Sequence, residues 1–333
     1  MRIISIINQK GGCGKTTSAI NLAGLMARRG FRTLLVDLDP QSHCAAGLAI
    51  PEQRIDLDIG DAMVAADTEP LDPTRLFWRA SRNLDLAPSR MKLAGLALPP
   101  GAAAAGGPAD RPDKERRLAS VLARFSHSYD VCFVDCSPSI GLLTFNALAA
   151  ATDILIPVET SFFALQGATK QINTIRSLAK RLGSEAQYWM VATLHDDTSA
   201  LARDLLDELR RRFGKRVSPH VIRRDVTLKE AASFGQPIIE YAPESAGAAD
   251  YSALADWLAA IIGLAPGTEA APQHEPDETP LDPPSVEIIG SLEAKAALGR
   301  KLSAGDLEPE LAAAPAPSAP AASARPRPAP VIP

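Results

Sequence analysis

Short runs of apolar, often β-branched residues alternate along the first 260 positions with segments in which apolar residues recur at helical spacing. Because parallel strands need crossover helices, this alternation predicts a doubly wound α/β domain with a mainly parallel sheet. Six runs are interpreted as strands, namely residues 3–7, 33–39, 131–135, 154–158, 188–194 and 217–222. The stripe of Tyr251, Leu254, Leu258 and Ile261 predicts that the last helix of the domain covers residues 250–262.

The pattern changes near the C-terminus, where proline and alanine dominate. Residues 264–333 contain fourteen of the 28 prolines, together with ten acidic and five basic residues. Such a segment buries too little apolar surface to offset its chain entropy, so we expect a folded domain at residues 1–263 and a disordered Pro/Ala-rich tail. Within the tail, residues 286–302 place apolar side chains on half of a helical wheel, and both a short partner-docking helix and a disordered spacer remain open. Residues 95–113, rich in Gly, Pro and Ala, are predicted as a surface loop before a helix that starts near Lys114.

Charge and cysteine content narrow the class of protein. The formal net charge of −4 arises in the C-terminal tail. Residues 1–263 are nearly neutral, since they contain thirty basic and twenty-nine acidic residues. Any affinity for nucleic acid therefore requires a local patch. The four cysteines form no C-x-x-C pair, so no disulfide framework or zinc motif is indicated. The first apolar run is too short for a signal peptide and no stretch reaches the roughly 18 apolar residues of a membrane span, so we expect a cytoplasmic protein without stable membrane association.

A glycine-rich loop follows the first predicted strand and precedes a helix-compatible segment at residues 18–29. The loop consists of Gln9, Lys10, Gly11, Gly12, Cys13, Gly14, Lys15, Thr16 and Thr17. Glycines let backbone N–H groups turn toward phosphates, and the N-terminus of the helix adds the positive end of its dipole. We therefore expect residues 10–17 to bind nucleotide phosphates, with Lys15 on the β- and γ-phosphates and the Thr16 hydroxyl on Mg²⁺.

Three aspartates lie at the ends of predicted strands. Asp37 and Asp39 end the second strand, and Asp135 ends the third. The carboxyl ends of parallel strands meet at one edge of a sheet, which is where such folds bind ligands. Strand-end aspartates also often cap the following helix, so a purely structural role remains an alternative for each of them.

The element K-G-G-C-G-K-T-T resembles the deviant Walker A motif of the ParA and MinD class of P-loop ATPases. Gln9 before it and L-D-P-Q-S after the second strand resemble the ParA/Soj branch. The similarity continues through residues 135–144, 146–148, 163–167, 228–238 and 247–254, and so covers about residues 1–260. The resemblance implies a P-loop NTPase fold and a slow ATPase that uses ATP and Mg²⁺.

The resemblance also implies individual roles. Lys10 would cross a dimer interface to the partner's ATP, so the active form would be an ATP-sandwich homodimer. Asp39 would orient the attacking water, and Asp135 would hold Mg²⁺ with Asp37 as its companion acid. The implied catalytic residues are Lys10, Lys15 and Asp39, and the implied metal-site residues are Thr16, Asp37 and Asp135.

The fold alone does not assign a function, because related chains serve several classes. One alternative is a MinD-like ATPase that regulates division or acts at another membrane-associated site. Iron–sulfur and metabolic members of the same fold are further alternatives. The resemblance favours a nucleoid-associated ATPase that partitions or positions a chromosome, a plasmid or a protein cluster, with hydrolysis stimulated by a ParB-like or cargo-adaptor protein.

Nine basic and four acidic residues lie between positions 203 and 229. Two helical i, i+4 pairs are expected to neutralise part of this charge, Asp207 with Arg211 and Glu208 with Arg212. The remainder coincides with the region in which Soj-like proteins hold DNA, which implies contacts with the phosphates of double-stranded DNA and no sequence preference. The predicted DNA-binding residues are Arg203, Lys215, Arg216, Arg223, Arg224 and Lys229.

Overall fold

The computed structural model describes residues 1–65, 67–97 and 111–264, without the side chains of residues 162–166 and 168. In these ranges, eight strands form one sheet in the order β3-β4-β2-β5-β1-β6-β7-β8. The strands are β1 (Arg2–Ile6), β2 (Thr33–Leu38), β3 (Trp78–Ser81), β4 (Leu84–Ala87), β5 (Val131–Cys136), β6 (Asp153–Glu159), β7 (Gln187–His195) and β8 (Val217–Arg223). All neighbouring strands are parallel except β3 and β4, so the predicted mainly parallel α/β fold is confirmed.

Helices cover both faces of the sheet. They are α1 (Lys15–Arg28), α2 (His43–Ala46), α3 (Ile59–Val64), α4 (Pro73–Leu76), α5 (Arg117–Arg124), α6 (Leu142–Ala150), α7 (Phe162–Arg181), α8 (Ala200–Phe213), α9 (Thr227–Ser233), α10 (Ile238–Tyr241) and α11 (Ala246–Ile262). Short 3₁₀ helices occur at Glu52–Arg54, Met91–Ala97, Lys114–Arg116 and Gly214–Arg216. One core lies under α3, α5, α6 and α7, and the other lies under α1, α2, α9, α10 and α11.

Burial on both faces explains why the interior strands are recognisable in the sequence. In β2, Leu34 and Val36 face one core and Leu35 faces the other, so the strand reads as a continuous apolar run. All six predicted strands are confirmed, and each boundary lies within one residue of the prediction. The helices α1 and α11 are also confirmed, although each begins three or four residues earlier than predicted.

The edge hairpin formed by β3 and β4 was not predicted from the sequence. Each of these strands has only four residues, and each carries a charged side chain that interrupts its apolar pattern. Arg79 of β3 forms an ion pair with Asp85 of β4 across the hairpin. A strand near the edge of a sheet has one face that is not covered by a core, and charged pairs such as this one occupy that face. The sequences of β3 and β4 therefore lack the continuous apolar run that identifies a strand buried on both faces.

Two predicted segments lie largely outside the described residues. Of the predicted loop at 95–113, residues 98–110 are not described, whereas the helix expected near Lys114 is present as a 3₁₀ turn followed by α5. The boundary at residue 263 and the flexible tail, including residues 286–302, remain predictions. Within the described ranges, no helix combines the length and the hydropathy that a membrane crossing would need.

We predict that Gly235→Ala destabilises the domain more than Gly263→Ala does. Both glycines have left-handed backbones, with φ of 69° and 66°, so alanine costs each about 1–2 kcal/mol. At Gly235 a Cβ would also lie 2.3 Å from the Cβ of Ala49, whereas at Gly263 it would meet no atom within 4 Å. The clash should add about 1–3 kcal/mol to the loss of unfolding free energy, which urea denaturation would measure. Equal losses for the two variants would show that the contact with Ala49 relaxes at no cost.

Candidate nucleotide and metal site

The parallel register of β2 and β5 places two aspartates side by side. Asp37 is the register partner of Asp135, and both side chains are fully buried. Because side chains alternate along a strand, both carboxylates lie on the same face as Leu35 and Phe133, which belong to the core under α1. The sequence predicted these acids at one edge of the sheet, and the structure brings them together.

Asp135 has the contacts expected of a ligand for a hard cation. The Thr16 hydroxyl donates a hydrogen bond of 2.6 Å to Oδ2, while Oδ1 is buried and has no hydrogen-bond partner among the described residues. Burial, followed by the negative charge of Asp37, raises the pKa of the Asp135 carboxyl group. An orphaned carboxylate oxygen next to a hydroxyl on the phosphate loop fits Mg²⁺, which binds oxygen ligands and retains several waters.

Asp37 also has a structural role. Its Oδ1 accepts a hydrogen bond of 3.0 Å from the backbone N–H of Asp39, and its Oδ2 accepts one of 2.9 Å from that of Cys44 in α2. The contact with Cys44 agrees with the alternative in which a strand-end aspartate binds a backbone N–H at the start of the next helix. Burial raises the pKa of its carboxyl group despite these two N–H donors.

The glycine loop has the backbone conformation that a phosphate cradle requires. Gly12 and Gly14 have φ of 71° and 88°, which only glycine adopts without strain, and Gly14 precedes α1 without a side-chain cap. The first amides of α1 therefore have no partner within their own helix. The ammonium of Lys15 is buried and donates to the carbonyl oxygen of Lys10 over 3.0 Å. The predicted phosphate-binding residues, Lys10, Gly11, Gly12, Cys13, Gly14, Lys15, Thr16 and Thr17, all lie in this loop or in the first turn of α1.

Two residues that sequence reasoning missed hold this loop in place. The Thr193 hydroxyl at the end of β7 donates to the carbonyl oxygen of Cys13 over 2.9 Å. The side chain of Asn8 accepts the backbone N–H of Lys10 at 2.7 Å and the Gln171 amide of α7 at 2.8 Å. Both residues directly follow or end apolar strand runs, but their loop partners are distant in sequence, so no local pattern identifies them.

The side chain of Lys10 is occupied within its own chain. Its ammonium forms an ion pair with the carboxylate of Glu159, at the end of β6, and lies 3.3 Å from the Ser161 hydroxyl. Lys10 therefore has a charged partner within its own subunit. Glu159 ends an apolar strand run, as the three predicted aspartates do, so the same sequence signal could have identified it.

Asp39 directly follows β2, on a loop that is tied to the residues after β4. Its side chain is 8% exposed, and its Oδ1 accepts the backbone N–H of Gln41 at 3.1 Å. The Ser89 hydroxyl, just after β4, donates to the carbonyl oxygen of Asp39 over 2.6 Å, and Ser42 donates to the carbonyl oxygen of Ser89 over 2.8 Å. The unpredicted hairpin strand β4 thus fixes the position of this loop.

The predicted DNA-binding residues do not form one continuous patch. Lys215 and Arg216 precede β8, whereas Arg223 and Arg224 end or follow it, and seven strand residues span about 20 Å. Arg203 lies in the first turn of α8, after the carboxyl end of β7. The predicted set therefore divides between the two ends of the sheet.

The basic side chains also differ in whether other groups of the protein bind them. Arg223 donates to both carboxylate oxygens of Asp250, with the shortest contact at 2.6 Å, so its charge is already compensated. Arg216 packs over the rings of Tyr188 and Trp189. By contrast, Arg224, Lys229 and Lys215 are exposed, and their side chains form no hydrogen bond or ion pair in the described part of the chain.

One of the two predicted helical ion pairs is confirmed. Glu208 binds Arg212 at 3.3 Å, as predicted, but it also binds Arg211 at 2.7 Å. The predicted pair of Asp207 with Arg211 is therefore wrong, because the i, i+3 partner Glu208 competes successfully for that guanidinium.

Comparisons with known proteins agree with this geometry. A family model described as an AAA domain matches residues 1–188. The sporulation initiation inhibitor protein Soj of Bacillus subtilis is 37% identical over 262 residues, which cover 78% of this chain and 98% of the relative. The chain belongs to the Soj/ParA family of ATPases.

A second relative supports the assignment of this Soj/ParA-family protein, and a solved structure shows how widely its fold occurs. The chromosome partitioning protein ParA of Myxococcus xanthus is 38% identical over 256 residues, or 76% of this chain and 86% of that protein. A solved structure of cobyrinic acid a,c-diamide synthase from Mycobacterium smegmatis, with bound ADP and magnesium, is similar with a TM-score of 0.66 and 26% identity. That similarity covers 79% of this chain and 96% of the synthase, so proteins with different reactions share this fold.

We predict that Asp135→Asn stabilises the metal-free protein. The amide removes a buried charge that faces Asp37, and its oxygen can still accept the Thr16 hydroxyl. Without Mg²⁺ or nucleotide, the melting temperature should rise by about 2–4 °C, the shift that about 1 kcal/mol produces in a domain of this size.

Asp153→Asn is the matched control, because Asp153 is equally buried but has partners in Trp189 and Arg2. This control should lower the melting temperature. A lower melting temperature for Asp135→Asn as well would mean that the carboxylate at 135 is compensated in the metal-free protein.

Proposed function

We propose that this protein is a slow Mg²⁺-dependent ATPase whose ATP-bound homodimer binds DNA without sequence preference and positions a cargo. The single observation that carries the proposal is the glycine loop facing the buried Asp37 and Asp135 pair, in a chain of the Soj/ParA family. The bound ADP and magnesium of the similar synthase structure support ATP and Mg²⁺ as ligands. A location on the nucleoid in the cytoplasm follows from the DNA-binding step of the proposal.

The nucleotide step assigns roles to groups that are already in place. Lys15 leaves the Lys10 carbonyl oxygen and moves to the β- and γ-phosphates, where its charge is neutralised by the ligand. The free amides at the start of α1 bind phosphate oxygens. Thr16 and Asp135 would hold Mg²⁺, and Asp37, whose oxygens accept backbone N–H groups, would be their companion acid. When bound, Mg²⁺ neutralises charge on the phosphates.

The hydrolysis step depends on Asp39. Its carboxylate is slightly exposed, next to the buried acids, on the loop that Ser89 anchors. A carboxylate in this place orients the attacking water and accepts its proton. Anchoring by Ser89 keeps the carboxylate in position, which reduces the entropy lost when the water is aligned.

Dimerisation depends on an exchange at Lys10. In the monomer its ammonium is neutralised by Glu159, so it contributes no free charge to its own phosphate loop. An ATP molecule in a second subunit offers the same lysine several phosphate oxygens. If this exchange occurs, the dimer forms with ATP and dissociates after hydrolysis, when the charge on the partner's nucleotide falls.

The DNA step uses the basic residues at the carboxyl end of the sheet. Arg203, Arg224 and Lys229 lie on elements that start at or follow the carboxyl ends of β7 and β8, the same edge as the glycine loop. Dimerisation at that edge brings two copies of this group together, which raises avidity without any new contact. The cargo is a chromosome, a plasmid or a protein cluster, and a ParB-like or cargo-adaptor protein stimulates hydrolysis to release the dimer.

We predict that Asp39→Ala retains ATP binding but lowers turnover at least about 100-fold, because the water loses its proton acceptor. The variant should accumulate as a dimer with ATP, measured by light scattering, whereas Lys15→Ala should bind no nucleotide and remain monomeric. Turnover of Asp39→Ala at the parental rate would exclude the role of Asp39. Equal mass with ADP and ATP would exclude the sandwich dimer.

We predict that Arg224→Glu combined with Lys229→Glu lowers the affinity of the ATP-bound protein for duplex DNA at least about tenfold and reduces its salt dependence. Fluorescence anisotropy with unrelated duplexes across a salt series measures both quantities. The control is Arg54→Glu with Arg82→Glu, which makes the same charge change near β3, at the end of the strand order opposite β8. This double variant should bind DNA normally. Equal losses of DNA affinity in the two double variants would show that the net charge of the protein causes the effect, and would reject this DNA surface.

A further inference from the structure

Cys44 lies against the two buried aspartates and has no role in the proposed ATPase. It belongs to the first turn of α2, is fully buried, and places its Sγ 3.5 Å from Oδ2 of Asp135. Its backbone N–H binds the carboxylate of Asp37. One ligand atom each from Asp37, Cys44 and Asp135 lies within 4.8 Å of the others.

A second observation supports a cation site at this cluster. Oδ1 of Asp135 is buried and has no hydrogen-bond partner among the described residues. Two carboxylates in a dry environment repel one another and favour any divalent cation that reaches them. The thiol of Cys44 determines which cation the cluster favours, because sulfur prefers soft or borderline metal ions, whereas Mg²⁺ prefers oxygen ligands.

We propose that Asp37, Cys44 and Asp135 form a binding site for a thiophilic divalent cation, of which Zn²⁺ is the type, in the nucleotide-free protein. Zn²⁺ bonds of about 2.3 Å to sulfur and about 2.1 Å to oxygen place tetrahedral ligands about 3.6 Å apart. The Sγ to Oδ2 distance of 3.5 Å already has this value. A water provides the fourth ligand, because the Thr16 hydroxyl, 2.6 Å from the same Oδ2, is too close to that oxygen for both to be tetrahedral ligands of one ion.

Binding replaces the thiol proton, which leaves to solvent, with the metal ion. The thiolate and two carboxylates then carry one net negative charge around Zn²⁺. Because Asp135 is also a ligand that we propose for Mg²⁺, the two ions exclude one another. Zn²⁺ should therefore inhibit the ATPase, a consequence that rests on the proposed function, whereas the binding itself does not.

The binding test uses the full-length, nucleotide-free protein and Co²⁺ alone, a coloured substitute for Zn²⁺. We expect one equivalent to bind and to produce a sulfur-to-metal charge-transfer band in the near ultraviolet, which Zn²⁺ abolishes by displacement and excess Mg²⁺ does not. Cys44→Ala should remove the band and weaken Co²⁺ binding by more than the roughly 10–100-fold that loss of an outer-shell partner costs.

Cys132→Ala is the matched control. Cys132 is an equally buried thiol on β5, but it lies three residues before Asp135 and so faces the opposite core. This variant should keep the band, and Asp37→Asn should weaken Co²⁺ binding without removing the band. A band that persists in Cys44→Ala, or the absence of any band in the folded parent protein at saturating Co²⁺, would overturn the proposal.

An activity assay separates this proposal from the proposed function. Zn²⁺ should inhibit ATP hydrolysis by the parent protein and by Cys132→Ala, but at least about tenfold more weakly in Cys44→Ala. A parent protein that binds Co²⁺ through Cys44 but hydrolyses no ATP would leave the metal site standing and reject the ATPase. A parent protein that hydrolyses ATP but shows no Co²⁺ band would leave the ATPase standing and reject the metal site.

Discussion

The close approach of two buried carboxylates is the constraint on which the site depends. The register of β2 with β5 fixes Asp37 beside Asp135, and burial prevents water from screening their repulsion. Backbone N–H groups of the following loop compensate Asp37, whereas one oxygen of Asp135 has no compensation within the described residues. The protein therefore places a carboxylate oxygen without a hydrogen-bond partner among the described residues next to the glycine loop.

The parts of the site come from many strands, and a few polar contacts set their relative positions. Thr193 of β7 holds the glycine loop, Ser89 after β4 holds the loop of Asp39, and Glu159 of β6 holds Lys10. Each contact joins residues that are distant in the chain but adjacent at the carboxyl edge of one sheet. The loops are thereby held in fixed relative positions, and such preorganisation reduces the entropy that binding a ligand must overcome.

Local charge counts misrepresent the basic surface, because the fold separates residues that the sequence groups together. The bases between positions 203 and 229 lie at both ends of β8, and Asp250 of α11 neutralises Arg223. Arg216 is fixed over two aromatic rings. The exposed, unpartnered cations at the glycine-loop edge are fewer than the sequence suggests, so a single subunit offers few phosphate contacts.

The sequence by itself determined six strands of the sheet, the glycine loop and the three strand-end aspartates, because each depends on a local pattern. Burial on both faces makes a strand uniformly apolar, and a left-handed turn requires glycine wherever it occurs. Only the tertiary structure decided that Cys44 joins Asp37 and Asp135, that Glu159 neutralises Lys10 and that a charged hairpin completes the sheet edge. These contacts join residues from different elements, and their partners are selected by strand order and register, which no local pattern specifies.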